Sequence, residues 1–290
     1  MYAETPLNKI RRGVAVTTIA DQFWCEKAVE LSFTHEVPET EEMRRGKERH
    51  DELHKEIAEL LPVTVTSIGD RIGVMFHNTV AGMVSLIGRN QTREMPVVGW
   101  LSALGVPIFG KIDELIVRNN ETRIIDHKTR RGEKKPSPAQ VRVAEFQVMF
   151  YYQLLSAIRS KSFDIREVLK FYNLDHTTAF SDSFLRQLDS QSRPKETNLS
   201  KLGAMVMKAA ERIPELSKEL EILYEAQETG KIIGAHSFTF NNEKWKRDLE
   251  FALDYWLGKR AAIPVGEKNR WKCNFCSFKS ESICPIWARN

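Results

Sequence analysis

The sequence has no apolar run long enough to cross a membrane. No stretch of its 290 residues approaches the roughly 18–20 consecutive apolar residues of a bilayer-spanning helix. Residues 1–12 also lack the apolar segment of a secretory signal peptide. No P-loop pattern of the form G-x-x-x-x-G-K-S/T is present to drive an ATP-dependent motor. We therefore expect an intracellular protein, cytoplasmic or associated with the nucleus or nucleoid, without a membrane partner.

Cysteine is scarce, with four residues in the whole chain. In a reducing compartment these are not expected to form disulfides. Cys273, Cys276 and Cys284 lie close together in the sequence, and Cys25 lies far from them. The spacing C-x2-C-x7-C is typical of a metal centre. Four thiolates bind either Zn²⁺ or an iron–sulfur cluster, and the spacing alone favours zinc because zinc sites are commoner.

A strong bias of charge is also missing. The formal net charge of +4 only weakly favours an anionic partner, and the length allows one large domain or two small ones. The basic run at 128–135 differs from the other basic clusters because it adjoins the acidic residues described below. Arg130 and Arg131 in this run are therefore candidates for binding the backbone of a nucleic acid.

Two segments, 107–117 and 122–129, are predicted to form a β-hairpin. Asn119 and Asn120 suit a two-residue turn, because asparagine tolerates a positive φ. With this turn, the numbers of residues that face each other across the hairpin add up to 239. Asp113 then lies opposite Asp126.

Asp113 and Asp126 are the centre of the predicted site. Residues that face each other across two strands have Cβ atoms about 4.5–5.5 Å apart, so the two carboxylates repel unless a cation lies between them. Lys128 follows Asp126 by two residues and points to the same side. Mg²⁺ and Mn²⁺ prefer hard oxygen ligands, and a nearby lysine stabilises developing negative charge. The three residues predict metal-dependent cleavage of a phosphodiester.

Further candidates lie before and after the hairpin. Gln147 and Tyr151 are one helical turn apart on the helix predicted after the hairpin, where they would hold the substrate strand. His50, on the apolar side of an earlier helix, is a candidate third metal ligand, with His54 as its competitor. The side chain of His127 points away from Asp126, but its backbone carbonyl is a candidate metal ligand.

The remaining secondary structure is read from periodicity. We expect helices over 15–35, 38–61, 137–160, 201–229 and 243–257. We expect strands over 63–68, 71–77, 80–87, 97–104, 168–174 and 238–241, and an irregular segment over 175–200.

As a set, these motifs resemble the PD-(D/E)XK nuclease superfamily and its RecB-like branch, and most closely the exonuclease V family. The resemblance spans nearly the whole chain and keeps the order of the motifs. It departs at position 126, where Asp replaces the commoner Glu, and in a longer gap between Cys276 and Cys284. The stretches that carry it are Val16-Thr17-Thr18 with Trp24-Cys25-Glu26, Arg45-Gly46 with His50, Asp126-His127-Lys128-Thr129-Arg130-Arg131, Phe146-Gln147-Val148-Met149 with Tyr151, and Trp271-Lys272-Cys273 through Cys276 to Cys284.

The resemblance implies an α/β fold with a PD-(D/E)XK restriction-endonuclease-like core, in which a central mixed β-sheet is flanked by helices. It implies a single nuclease domain over 1–290, a helical insertion at 176–235, and an iron–sulfur region formed by Cys25 and 264–290. It further implies a single-stranded-DNA exonuclease of DNA repair or processing that needs Mg²⁺ or Mn²⁺. A 4Fe–4S cluster would be held by the four cysteines. Single-stranded DNA is the expected partner, and a single-strand-binding protein is a candidate protein partner.

Two other functions are compatible with parts of this pattern. A CRISPR-associated RecB-like nuclease, which would process DNA ends for spacer acquisition, shares the cysteines and the acidic site but is usually shorter. A non-catalytic DNA-binding module with a structural metal centre would explain the cysteines. It would not explain why Asp113, Asp126 and Lys128 occur together.

Overall fold

The computed structural model describes residues 5–10, 12–37, 39–55, 65, 67–175, 178, 180–189, 198–279 and 283–284. Within these ranges, no helix combines the length and the apolar character of a bilayer span. The helices are α1 (Val16–Ala20), α2 (Gln22–Ser32), α3 (Glu41–Lys55), α4 (Ile68–Arg89), α5 (Pro138–Arg159), α6 (Ile165–Phe171), α7 (Asp182–Asp189), α8 (Leu199–Ala210) and α9 (Asn242–Trp256), with short 3-10 helices at Pro6–Lys9 and Glu267–Phe275. The strands are β1 (Val14–Ala15), β2 (Gln91–Leu101), β3 (Val106–Arg118), β4 (Glu121–Arg130), β5 (Glu215–Leu216), β6 (Glu219–Ala226) and β7 (Ile232–Thr239).

The strands form one mixed sheet with the order β1-β3-β4-β6-β7, in which β2 also pairs with β3 and β5 with β4. β1 is parallel to β3, and β4 is parallel to both β5 and β6, whereas the other pairs are antiparallel. Helices α4 and α5 cover one side of β2. Gly82 of α4 lies against Met95, and Gly99, four residues further along β2, lies against Leu154 of α5. The predicted α/β fold with a central mixed sheet flanked by helices is confirmed.

The predicted hairpin is confirmed in position and register. Asn119 and Asn120 form its turn with φ of 53° and 61°. The strands pair from Arg118 with Glu121 to Glu114 with Ile125, as the sum of 239 requires. Strand pairing ends there, one residue before Asp113 and Asp126, while β4 continues beside β6 on its other edge.

The end of this pairing leaves a gap at the edge of β3. β2 occupies one edge of β3 along nearly its whole length, so β1 and β4 share the other edge. β1 pairs with Ile108 and Phe109, and β4 with Glu114–Arg118. Among the described residues, positions 110–113 between them have no strand partner on this edge. The gap lies where the candidate carboxylates were predicted.

The strands predicted within 71–87 are wrong, because this segment is the helix α4. Its β-branched and aromatic residues imitate a strand locally, but the buried residues recur every three or four positions, as one side of a helix requires. Ser67 caps the helix, accepting from the N–H of Asp70, while the Asp70 carboxylate accepts from the N–H of Ser67. The larger buried side chains that show this spacing are Ile72, Phe76, Thr79, Met83 and Leu86.

The expected helical insertion at 176–235 is helical only in its first part. Helices α7 and α8 belong to it, but the helix predicted over 201–229 ends at Ala210. β6 follows, with Leu220, Ile222 and Tyr224 buried at every second position. Pairing with β4 in the centre of the sheet overrides the helical propensity of this segment. The helical part therefore precedes strands of the main sheet.

Smaller differences complete the comparison with the predicted elements. The strand predicted over 168–174 is wrong, because α6 occupies most of it. The predicted end of α3 beyond residue 55 and half of the strand predicted over 63–68 lie outside the described residues, and the end of that strand is instead the cap and start of α4. The helices predicted over 137–160 and 243–257 are confirmed as α5 and α9.

Candidate active site

The carboxylate of Asp113 sits in the gap at the edge of β3. Its Oδ2 accepts a hydrogen bond from the backbone N–H of His127 at 2.8 Å. The side chain thus bridges the two strands where their own ladder has ended. This bond holds Asp113 towards Asp126, as the predicted register requires.

Asp126 belongs to a polar network that joins β4 to α5. The ammonium of Lys128 lies 3.1 Å and 3.0 Å from the two carboxylate oxygens of Asp126 and donates to Oε1 of Gln147 at 3.1 Å. The amide of Gln147 donates to Asp126 at 3.2 Å and to the hydroxyl of Tyr151 at 3.1 Å. The structure therefore brings together the four residues that the sequence singled out here.

Gly110 makes room for Tyr151. A Cβ at this position would lie 2.5 Å from Cε1 of the tyrosine ring, which is too close for any side chain. Because Gly110 lies in the gap of β3, the tyrosine packs directly against the strand that carries Asp113.

A second cluster contains His50, Glu94 and Asp113. One ligand atom from each lies within 4.8 Å of the others, a spacing that suits a metal ion. Nδ1 of His50 is 2.7 Å from Oε1 of Glu94 and 3.8 Å from Oδ1 of Asp113. The predicted ligand His50 is therefore beside Asp113, whereas the side chain of His54 lies outside what the structure describes.

Sequence reasoning missed Glu94. In the register of β2 and β3 it falls opposite Asp113, between the pairs of Arg93 with Glu114 and Met95 with Ile112. Its φ of 53° is unusual for a glutamate within a strand. No local pattern reveals this acid, because its position depends on the pairing of two strands.

The charges of the site perturb one another. Burial and the charge of Asp126 raise the pKa of Asp113 to about 6. Burial alone would lower the pKa of Lys128, but the charges of Asp126 and Asp113 raise it above its usual range. Burial would also lower the pKa of His50, yet the hydrogen bond to Glu94 and the charge of Asp113 raise it. The carboxylates of Asp113, Asp126 and Glu94 are thus set against two lysines, Lys128 beside Asp126 and Lys111, which pairs with Glu94.

This donor set fits Mg²⁺ or Mn²⁺. Carboxylate oxygens with one imidazole are suitable ligands for these ions. Among the described residues, the buried Oδ2 of Asp126 accepts no well-aligned hydrogen bond, although the Lys128 ammonium lies 3.0 Å away. Asp113, Glu94 and His50 would hold the ion, with Asp126 adjacent to them.

The side chain of His127 points away from this cluster, as predicted. Its Nε2 lies 2.7 Å from Oε2 of Glu114. The basic residue Arg130 stands at the end of β4 and donates to the backbone oxygen of Lys134 at 3.0 Å, and the neighbouring Arg131 is exposed. Both arginines therefore lie at the end of the strand that carries Asp126.

The helix that carries His50 is tied to the sheet. Nε of Arg49 donates to Oε1 of Glu225 on β6 at 2.7 Å. At Gly46, a Cβ would lie 3.1 Å from Oγ1 of Thr129, so α3 approaches β4 closely. These contacts position His50 over the gap.

The four cysteines line one pocket, where the N-terminal and C-terminal parts of the chain meet. α2 breaks at Cys25, whose backbone is extended with φ −165° and ψ 111°. Burial raises the pKa of Cys273 and Cys276, and the neighbouring Cys25 and Cys284 raise it further. The four side chains thus face one pocket, and thiolates are the ligands that both a zinc ion and an iron–sulfur cluster take.

Carboxylates, an imidazole and a lysine that converge at a gap between strands of a mixed sheet are the side chains that a metal-dependent nuclease needs. The family model described as "Exonuclease V - a 5' deoxyribonuclease" matches residues 5–125, 119–201 and 189–284. The chain belongs to the exonuclease V family and is a deoxyribonuclease.

Individual relatives agree with this assignment. An exonuclease V of Danio rerio is 28% identical over 296 residues, which cover 99% of this chain and 73% of the fish protein. The crystal structure of SSO0001 gives a TM-score of 0.34 at 14% identity, over 83% of this chain and 95% of that one, too low to inform the fold. Membership of the family favours exonuclease V over the CRISPR-associated nuclease. A deoxyribonuclease is not a non-catalytic module.

Proposed function

We propose that this protein is a metal-dependent exonuclease that degrades single-stranded DNA from an end, through two carboxylates and a lysine. The convergence of Asp113, Asp126 and Lys128 at the gap of β3 carries the proposal. We assign the chain to the PD-(D/E)XK type, as one nuclease domain in which α7 and α8 precede β6. Its setting would be intracellular DNA repair or processing, with a single-strand-binding protein as a candidate partner.

In this proposal, the side chains around the gap have different roles in the reaction. A bound Mg²⁺ or Mn²⁺ would polarise the scissile phosphate and lower the pKa of a water molecule. Lys128 stabilises the negative charge that develops on the phosphate oxygens, and Asp126 orients the lysine. Gln147 holds both of them, and its contact with Tyr151 fixes its amide. The backbone carbonyl of His127 remains a proposed further ligand.

We assign a structural 4Fe–4S cluster to Cys25, Cys273, Cys276 and Cys284. The common pocket of the four thiols supports this assignment, and so does the resemblance of the cysteine motifs to those of the family. Such a centre would hold α2 against the C-terminal part of the chain.

The proposal that cleavage starts from a DNA end is tested with substrates that differ only in their ends. We expect linear single strands to be degraded with Mg²⁺ or Mn²⁺, and circular single strands and blunt duplexes to resist. The family description supports entry at the 5′ end, so a blocking group there should protect the strand, whereas the same group at the 3′ end should not. Equal rates on linear and circular strands would overturn the proposal of an exonuclease.

The proposed metal ligands predict a change in metal requirement. In His50→Ala and Glu94→Gln, we expect the Mn²⁺ concentration for half-maximal activity to rise by roughly 10- to 100-fold. The measurement is a metal titration of the initial rate at fixed DNA concentration. Asp254→Asn, which changes an exposed carboxylate paired with Lys259, should titrate like the parent. An unchanged requirement in both site variants would remove these residues from the metal site.

Arg130 and Arg131 are proposed to bind the DNA backbone. In Arg130→Ala/Arg131→Ala, we expect the KM for single-stranded DNA to rise several-fold with little change in kcat. The slope of log KM against log salt should weaken by about 0.7 for each phosphate that the variant no longer binds. Arg118→Ala, at the turn of the same hairpin, is the matched control. A double variant with the parent's salt dependence would refute the assignment.

A further inference from the structure

A cavity of about 540 Å³ lies near the gap of β3 but outside the cluster of carboxylates. The start of α4, strand β3, the end of α6 and the segment before β1 surround it. Its walls include two arginines, Arg12 and Arg71, and two aromatic residues, Phe109 and Tyr172. A volume of this size suits a small organic group such as a nucleotide.

The aromatic wall of the cavity is held in place by the backbone. The rings of Phe109 and Tyr172 are 6.5 Å apart and tilted by 37°. The hydroxyl of Tyr172 donates to the backbone oxygen of Arg12 at 2.6 Å. Gly13 has a φ of +79°, and a Cβ there would lie 2.6 Å from the ring of Phe109. Glycine is therefore needed to bring Arg12 against this wall.

The cavity is positively charged and has an apolar rim. Arg12 and Arg71 are exposed, and neither forms an ion pair within the ranges that the structure describes. Burial raises the pKa of Tyr172, and the charges of Arg71 and Arg12 oppose this shift, so both guanidinium groups lie near the phenol. At the mouth, the side chain of Ile68 is 50% exposed. Apolar surface and cations without acidic partners together match a base and its phosphate.

The cavity and the candidate metal centre share strand β3. Alternate residues of a strand point to the same side, so Phe109, Lys111 and Asp113 form one row. Asp113 lies four positions after Phe109, so the two residues are about 13 Å apart along the strand at roughly 3.3 Å per residue. Nucleotides rise by about 3.4 Å in a duplex strand, so this distance corresponds to a few nucleotides. A single strand can therefore reach both places at once.

We propose that this cavity is a subsite for single-stranded DNA, in which a base stacks on Phe109 and Tyr172 while Arg12 and Arg71 bind adjacent phosphates. The subsite rests on the proposed function, because the strand must also enter the centre at Asp113. Aromatic stacking accepts any base, so the subsite serves affinity and the advance of the strand rather than sequence recognition.

The test is a scan with missing bases. DNA strands of one length, each with a single abasic nucleotide at a successive position from the 5′ end, are bound to the full-length protein in EDTA. We expect one position at which loss of the base raises the Kd about tenfold. In Phe109→Leu, the intact strand should bind as weakly as that abasic strand, and the position dependence should disappear.

Arg71→Ala provides an independent measurement on an exposed residue. Its Kd should rise several-fold, with a weaker salt dependence, while Arg89→Ala at the other end of α4 should bind like the parent. The Kd of Arg71→Ala tests the subsite even if Phe109→Leu does not fold. The subsite would be overturned, and the proposed function left standing, by either of two results. One is tight binding with the same Kd at every abasic position, and the other is an unchanged Kd in Arg71→Ala. A parent protein that neither binds nor degrades single strands would overturn the subsite and the proposed function together.

Discussion

Replacing Lys128 with methionine is expected to lower kcat for single-stranded DNA by about 10²- to 10³-fold, while the KM stays within a few-fold of the parent. The loss is that of one cation directed at developing charge in the transition state. Lys128 lies 3.1 Å from both Asp126 and Gln147, so its ammonium is already oriented before substrate binds. Single-turnover rates at saturating Mn²⁺ measure the effect on the chemical step.

The same change leaves the buried carboxylate of Asp126 without its partner, so folding must be separated from catalysis. The double variant Lys128→Met/Asp126→Asn removes both charges, so it should regain the thermal stability that Lys128→Met alone loses. It should still be inactive. Lys208→Ala, an exposed lysine of α8, controls for loss of positive charge. If Lys128→Met kept more than a tenth of the parent kcat, Lys128 would not act in the chemical step.

Replacing Cys25 with alanine is expected to remove the metal centre and to lower the Tm by on the order of 10 °C. Binding of a structural metal contributes directly to folding free energy, and in the proposed centre this cysteine would tie α2 to the C-terminal part, which lines the same pocket. Iron, zinc and acid-labile sulfide are measured on anaerobically purified protein, and melting is followed by circular dichroism.

The parent should contain about four iron atoms and four sulfides per chain, as a 4Fe–4S cluster requires. Zinc at one per chain without iron would replace the cluster with a zinc site. Lys27→Ala changes a side chain of the same pocket that offers no thiol, and it should keep the iron. A Cys25→Ala protein that melted with the parent's Tm would show that Cys25 is not a ligand.

Local signals were enough to predict the hairpin and the helix after it. Two asparagines specify the turn, and the turn specifies the register, so the approach of Asp113 to Asp126 followed from counting residues. Ser137 and Pro138 mark the start of α5 equally well, because a capping side chain and a proline belong in the first turn of a helix.

Other features depended on pairing between distant segments. Glu94 joined the site because β2 runs antiparallel to β3 in a register that no turn specifies. The sequence predicts a helix where β6 lies, because its leucines and glutamates have helical propensity. Only pairing with the neighbouring β4 makes this segment a strand. The sequence predicts strands where α4 lies, because a stretch of a few residues does not show the helical spacing of the buried positions. That spacing is evident only over several turns of the helix.

The pocket of cysteines also has a consequence for the order in which the protein is made. The ammonium of Lys272 bonds to the backbone oxygen of Trp24 across 248 positions of sequence, and the indole of Trp256 bonds to Gln22 across 234. Contacts of such separation form late, because the loop between them must close first. During synthesis, the contacts of α2 with the C-terminal part can form only when nearly all of the chain has emerged. Until then, α2 can pack on elements made earlier, such as α5, where the ring of Phe146 lies 4.5 Å from that of Phe23.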